Sequence, residues 1–218
     1  MVTFNVSSRY DWYVIDKTYT GPTRVYFEDE TVEDIDLTGT EMLPNGSWSI
    51  WEKVLSLRNK VGGIETYKET TAPAGTGDYK VIQTLTPTKG VVVAKHPAPP
   101  KGYKVKKFII SETSRDGFGL FDKDGEYGTS CNCYCVKVST DEEGESYQRF
   151  VESKLCAHLI GSTKWSNFRV EYVVWNYIFN PFLTGVRKES TDQDIYDLVG
   201  LTSKEISHIE TFTYGKHR

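Results

Sequence analysis

The chain has 218 residues, 38% apolar and 26% charged, and 26 basic against 30 acidic side chains set its net charge at −4. That size supports one large core or two small ones, and the composition excludes a disordered chain. No apolar run approaches the roughly 20 residues that span a bilayer, and the negative total excludes a protein that coats nucleic acid by bulk charge, though not one with a local basic face.

The charge is segregated. Glu28, Asp29, Glu30, Glu33, Asp34 and Asp36 crowd one stretch without a base, and Lys89, Lys95, Lys101, Lys104, Lys106 and Lys107 crowd another without an acid. Such runs are most often solvated faces. The opening Met1-Val-Thr-Phe-Asn-Val lacks the basic and apolar regions of a signal peptide, so a cytoplasmic chain with no membrane partner is expected. Cys131, Cys133 and Cys135 alternate at strand spacing, and Cys156 stands apart. A C-x-C-x-C run on extended chain closes poorly around zinc, so thiols packed under a sheet in a reducing compartment are expected.

In chain order, Trp12–Ile15 and Arg24–Phe27 read as short strands around Gly21-Pro22. Ser47 is a candidate N-cap for a helix burying Ile50, Trp51, Val54, Leu55 and Leu57, with Gly62-Gly63 at its end. Residues 70–78 form a loop. Lys80–Leu85 and Val91–Lys95 then read as strands joined at 87–90, Val91-Val-Val93 having the composition of a buried strand. His96-Pro-Ala-Pro-Pro100 is a rigid connector between 1–96 and 101–218.

Val105–Ser111 reads as a strand with Phe108-Ile-Ile110 in the core. Arg115–Ser130 holds four glycines and reads as one or two hairpin turns, with Asp124-Gly125 the strongest turn pair. Cys131–Val138 is the next strand, Glu143–Ile160 a single long helix, and Phe168–Phe179 a long or bent aromatic strand. Two short capped helices start at Thr191 and at Thr202-x-x-Glu205. The fold class expected is α+β, with mixed, mainly antiparallel strands, one long helix and two short C-terminal helices. A single domain over 1–218 is expected, with a subdivision at 96–101 as the alternative.

Several chemistries lack their motifs: there is no Walker loop, no GxGxxG after a strand, no nucleophile elbow and no H-x-x-x-H pair. His96, His158, His208 and His217 are scattered. Asp122-x-Asp124-Gly-Glu126 lacks the remaining ligands of a calcium loop. Glu65-Thr-Tyr-Lys68 is one residue too long for the carboxylate–lysine pattern of a metal-dependent nuclease, and Asn180-Pro181-Phe182 lacks a proline of the adenine-gripping loop. No catalytic residue, metal site or cofactor is therefore expected in this chain.

An ordered set of segments remains. It comprises Val105-Lys-Lys-Phe-Ile-Ile-Ser111, the glycine stretch 117–128, Thr129-Ser-Cys131, Glu152-Ser-Lys-Leu155, Phe179-Asn-Pro181-Phe182, Thr191-Asp-Gln-Asp-Ile-Tyr196 and Gly200-Leu-Thr-Ser-Lys-Glu-Ile-Ser-His-Ile-Glu210. In order and spacing it resembles, over roughly 101–210, the C-terminal target recognition region of adenine-N6 DNA methyltransferases and fused restriction–methylation enzymes. Val32–Leu37 and the helix of 51–57 resemble the segment before it more weakly. The resemblance implies a target-recognition-like fold that docks on double-stranded DNA and chooses the sequence to be methylated. It implies that S-adenosylmethionine belongs to a catalytic partner, a separate methyltransferase or restriction subunit. Where the family carries a polar Thr-Gln segment, this chain has Ser162-Thr-Lys-Trp-Ser-Asn167.

The residues themselves fit a DNA-facing reading. Lys164, Trp165, Ser166, Asn167 and Arg169 combine phosphate-binding groups with side chains that reach base edges, and Arg115, Lys123 and Thr129 flank the glycine loops. Lys101, Lys104, Lys106 and Lys107 complete the candidate DNA contacts. Two alternatives stand beside this: a protein-interaction or decoy module that binds a restriction or methylation enzyme through the acidic stretch, and a cryptic metal-dependent nuclease using Glu65 and Lys68.

Overall fold

Among the described residues, β-branched and aromatic runs, punctuated by glycine and proline, build three small sheets, and helices cover the largest of them. The computed structural model describes residues 14–27, 30–38, 42–112, 118–163 and 173–211. The first sheet is a hairpin of β1 (Thr23–Tyr26) and β2 (Val32–Ile35). The second has the order β3 (Thr66–Tyr67), β9 (Cys133–Lys137), β6 (Lys107–Ser111), β7 (Gly119–Asp122), and every pairing is antiparallel. The third has the order β5 (Gly90–His96), β4 (Tyr79–Thr86), β8 (Tyr127–Thr129); β4 and β5 form a hairpin, and β8 runs parallel to β4. The helices are α1 (Trp48–Val61), α2 (Asp141–Val151), α3 (Lys154–Ser162), α4 (Val173–Asn176), α5 (Asp192–Val199) and α6 (Ser203–Thr211). The architecture is α+β. Among the described residues no helix is long and apolar enough to cross a membrane.

Strand β6 divides two cores because alternate side chains leave a strand on opposite faces. Phe108 and Ile110 join the larger core, with Trp51, Val54, Phe150, Leu159, Trp175 and Tyr196. Ile109 joins Ile82, Leu85, Cys133 and Cys135 between the two larger sheets. Both cores draw residues from either side of 97–100, so that rigid stretch joins shared cores.

Four features of the fold depart from the sequence reading. The expected long helix is two helices: Ser153 caps α3, its hydroxyl accepting from Cys156 N–H at 3.1 Å and donating to Phe150 O at 2.6 Å. The expected aromatic strand falls partly outside the described residues, and Val173–Asn176 within it is helical, with Phe179 meeting Gly63 in one isolated bridge. Of the one or two hairpin turns expected in the glycine-rich stretch, the first joins antiparallel β6 and β7, whereas the turn at Asp124-Gly125 crosses from one sheet to the other, because β8 pairs with β4. Val91-Val-Val93 sits on the end strand of its sheet with each residue 36–40% exposed. Smaller differences follow. Val14 and Ile15 are exposed and lie outside any strand. Ser47 adopts a left-handed conformation with no side-chain cap, and its hydroxyl meets His158 Nε2 at 2.9 Å. Cys133 and Cys135 are buried as expected, whereas Cys131 lies exposed before the strand.

The C-terminal helices close over α1. Lys53 donates to Glu205 at 2.5 Å, and Thr202 and Glu205 form the expected reciprocal cap. Burial opposes ionisation of Glu205. The Lys53 ammonium, the Thr202 N–H and hydroxyl, and the Ser49 hydroxyl outweigh it and bring the carboxyl down to about 2. A depressed folded value gives stability above the ordinary glutamate range that is lost as pH falls toward the folded value. Glu205→Gln should therefore lower stability at neutral pH and flatten the acid limb between about pH 4.5 and 2 in denaturation midpoints. A second test concerns Gly144 in α2, where an added Cβ would lie 2.2 Å from Phe121 Cε2. Gly144→Ala should cost about 1–3 kcal/mol by overpacking, against the gain of about 1 kcal/mol that alanine brings to an open helix, as read by urea denaturation.

Candidate nucleic-acid interface

The lysine-rich loop 100–106 and the crossover turn 123–126 are organised around one buried ion pair. Lys107 opens β6, Asp122 closes β7, and the register sets them opposite each other. Their charged groups meet at 2.8 Å with side chains only 1% and 2% exposed. Lys107 Nζ also donates to Gly102 O at 2.9 Å and to Val105 O at 3.2 Å, so one ammonium closes the loop preceding its own strand. The Asp122 carboxylate accepts from Glu126 N–H at 2.8 Å and Tyr127 N–H at 3.1 Å, which holds the turn. Lys104 N–H donates to Gly125 O at 2.7 Å and ties the two loops together. Gly125 has φ 65°, and a Cβ there would lie 2.4 Å from Val105 N, so only glycine permits this approach.

Lys107 is thus a correction to the expected set of DNA contacts. Its ammonium is spent inside the protein and cannot reach a phosphate. The lysine run gave no sign of this, because the partner Asp122 is brought in by strand pairing. The other described candidates reach the surface. Lys101 and Lys104 are exposed, and no carboxylate among the described residues pairs with either ammonium; Lys104 Nζ lies 5.8 Å from the Tyr103 ring centre. Lys106 and Lys123 both bind the Asp141 carboxylate at the start of α2. Hydrogen bonds from Lys106 and then Lys123 hold Asp141 below the usual carboxylate range, and Asp141 in turn raises Lys123. Arg115, Lys164, Trp165, Ser166, Asn167 and Arg169 lie outside the described residues. Thr129 is buried, its hydroxyl donating to Glu69 O at 2.7 Å.

The fold adds neighbours that sequence reading missed. The pairings Lys80↔Lys95, Tyr79↔His96 and Lys80↔Tyr127 gather both sheet partners of β4 at the end next to loop 100–106. Tyr79 and Tyr103 meet edge to face at 5.1 Å, and Lys80 Nζ, paired with Glu126 at 2.9 Å, lies 5.4 Å from the Tyr127 ring centre. Half-buried Tyr79, Tyr103 and Tyr127 thus interleave with Lys80, Lys95, Lys101 and Lys104. Ammonium groups of this kind neutralise phosphates, and tyrosine rings offer flat faces to sugars and bases. Tyr103 among the lysines was a usable local signal. The meeting of Lys80 and Tyr127 is long-range and had none.

The residues weighed for metal chemistry are otherwise engaged. Among the described residues no group of three or more His, Cys, Asp or Glu side chains is placed to hold a metal ion. Asp122 of the calcium-like stretch serves Lys107. Lys68 pairs with Glu112 at 3.2 Å, and Tyr134 donates to the same carboxylate at 3.0 Å. Burial raises the Cys133 and Cys135 thiols, to about 12 and about 11, so both stay protonated at neutral pH.

Removing one member of a buried ion pair strands the other charge. Lys107→Met should cost about 3–5 kcal/mol by chemical denaturation and speed amide exchange across 100–106 and 123–127. The double replacement Lys107→Met with Asp122→Leu should recover much of the stability, since the stranded charge is then gone.

Set against known proteins, the chain matches no family model, no curated protein and no solved structure.

Proposed function

We propose that this chain is a sequence-specific DNA recognition module, target-recognition-like and non-catalytic by itself, of a restriction–modification or adenine methyltransferase system. The observation that carries the reading is the lysine–tyrosine end of the β5-β4-β8 sheet, where exposed Lys101 and Lys104 project from a loop tied down by Lys107 and Asp122. Backbone held by buried hydrogen bonds beneath exposed ammonium groups suits phosphate positioning, which sets register on a duplex without reading sequence. Lys164–Arg169 then supplies the base-reading side chains, Asn167 toward adenine and Arg169 toward guanine. A separate methyltransferase or restriction subunit holds S-adenosylmethionine and does the chemistry. Free thiols at all four cysteines suit the reducing cytoplasm.

The reading is tested with labelled duplex DNA by fluorescence anisotropy across a salt series. Binding should weaken steeply with salt, and Lys101→Glu with Lys104→Glu should lower affinity at least tenfold at about 50 mM salt and reduce the log–log slope by about 2, near 0.9 per lost phosphate contact. Asp141→Asn should act in the other direction, because it releases Lys106 and Lys123 to the solvent. A wild-type chain that retains no duplex at low salt, or a double variant that binds like the wild type, would overturn the proposal.

A further inference from the structure

The strand β5 carries a composition suited to the middle of a sheet and lies at its rim. It pairs only with β4 among the described residues, and its second edge faces outward. Val91, Val92 and Val93 are 38%, 36% and 40% exposed, on both faces of the strand. Val91 stands opposite Leu85 and Val93 opposite Ile82, so these two extend the inter-sheet core into the open. The Lys95 carbonyl takes the N–H groups of Ala74 and Gly75, outside the ladder with β4, which turns it to the outer edge. Strand alternation turns the backbone groups of Val91 and Val93 the same way. Loop 70–78 thus closes the edge at Lys95, and the open stretch runs from Gly90 to Ala94.

Charge selects what can fill it. Lys89 brackets the open stretch at the turn end and Lys95 at the other, both exposed. Two copies of β5 paired antiparallel about Val92 would set Lys89 of each against Lys95 of the other. Like charges directly opposite are destabilising, and edge lysines are a recognised guard against self-pairing. We propose that the β5 edge is a docking site for an extended acidic strand of a different protein, one with carboxylates flanking two alternate β-branched residues. The added strand would pair with the backbone of Val91 and Val93, cover their side chains, and place its acids beside Lys89 and Lys95. This is main-chain strand addition with charge setting the choice of partner. It stands whether or not the chain binds DNA.

The test measures amide hydrogen exchange of the full chain with two blocked nonapeptides. One is Thr-Glu-Thr-Val-Thr-Val-Thr-Glu-Thr, and its twin has lysine at both glutamate positions. At about 1 mM, which fills about half of a millimolar site, the acidic peptide should slow exchange over 90–94 about twofold and the basic twin should not. Lys89→Glu with Lys95→Glu should reverse the preference. Val93→Pro, which removes one outward N–H at an edge where proline is tolerated, should abolish protection while circular dichroism shows the chain still folded. Protection by neither peptide, equal protection by both, or protection confined to loop 100–106 would each overturn the proposal.

Discussion

One buried ion pair sets the geometry on which the candidate interface depends. Burying an ammonium and a carboxylate together is costly unless every donor and acceptor finds a partner. Here the three N–H bonds of Lys107 go to Asp122, Gly102 O and Val105 O, and Asp122 receives Lys107, Glu126 N–H and Tyr127 N–H. The pair is saturated, which is how a lysine comes to lie 1% exposed between two sheets. It fixes the loop that enters β6 and the turn that leaves β7, and so sets the crossover that carries β8 to its place beside β4. Without it the basic loop would have no floor.

The remaining charge is distributed around this fixed point with little waste. Asp141 neutralises two lysines that adjoin the loop and also occupies the first turn of α2, where a negative charge meets the positive end of the helix. Glu126 holds Lys80. In the acidic front of the chain, Asp34 pairs with Arg24 across the β1–β2 hairpin and Asp36 accepts from Thr38 N–H. Net charge alone conceals this order, since the lysines divide into buried, neutralised and exposed groups that composition counts alike.

What the sequence revealed followed locality. α1, α5 and α6 were legible because their apolar periodicity or caps lie within a few residues, and the β4–β5 hairpin because its turn is short. Ser153 hid the break between α2 and α3, since the apolar stripe Phe150, Val151, Leu155, Leu159 continues across it. Val91–Val93 misled because β-branched composition reports strand and not position in a sheet. In the glycine stretch the β6–β7 hairpin was legible, but a second one at Asp124-Gly125 was not formed, because that pair marks a turn without saying which strands it joins. For the interface, the run of lysines and Tyr103 could be read directly. The division of labour among the lysines could not, because Asp122 and Asp141 reach them only through tertiary structure, and Lys164–Arg169 lies outside the described residues.

The parallel pairing of β4 with β8 has a consequence for how the molecule is assembled. Lys80 and Tyr127 lie far apart along the chain, with the β4–β5 hairpin, the proline-rich connector and the β6–β7 pair between them. Closing so long a loop costs entropy before any contact repays it, and parallel strands of this kind form slowly. The hairpins and helices form from neighbours, whereas the lysine–tyrosine end waits for both sheets. The lysine–tyrosine end therefore rests on a long-range pairing, and a nascent chain ending before Tyr127 carries its lysines without the shape that organises them.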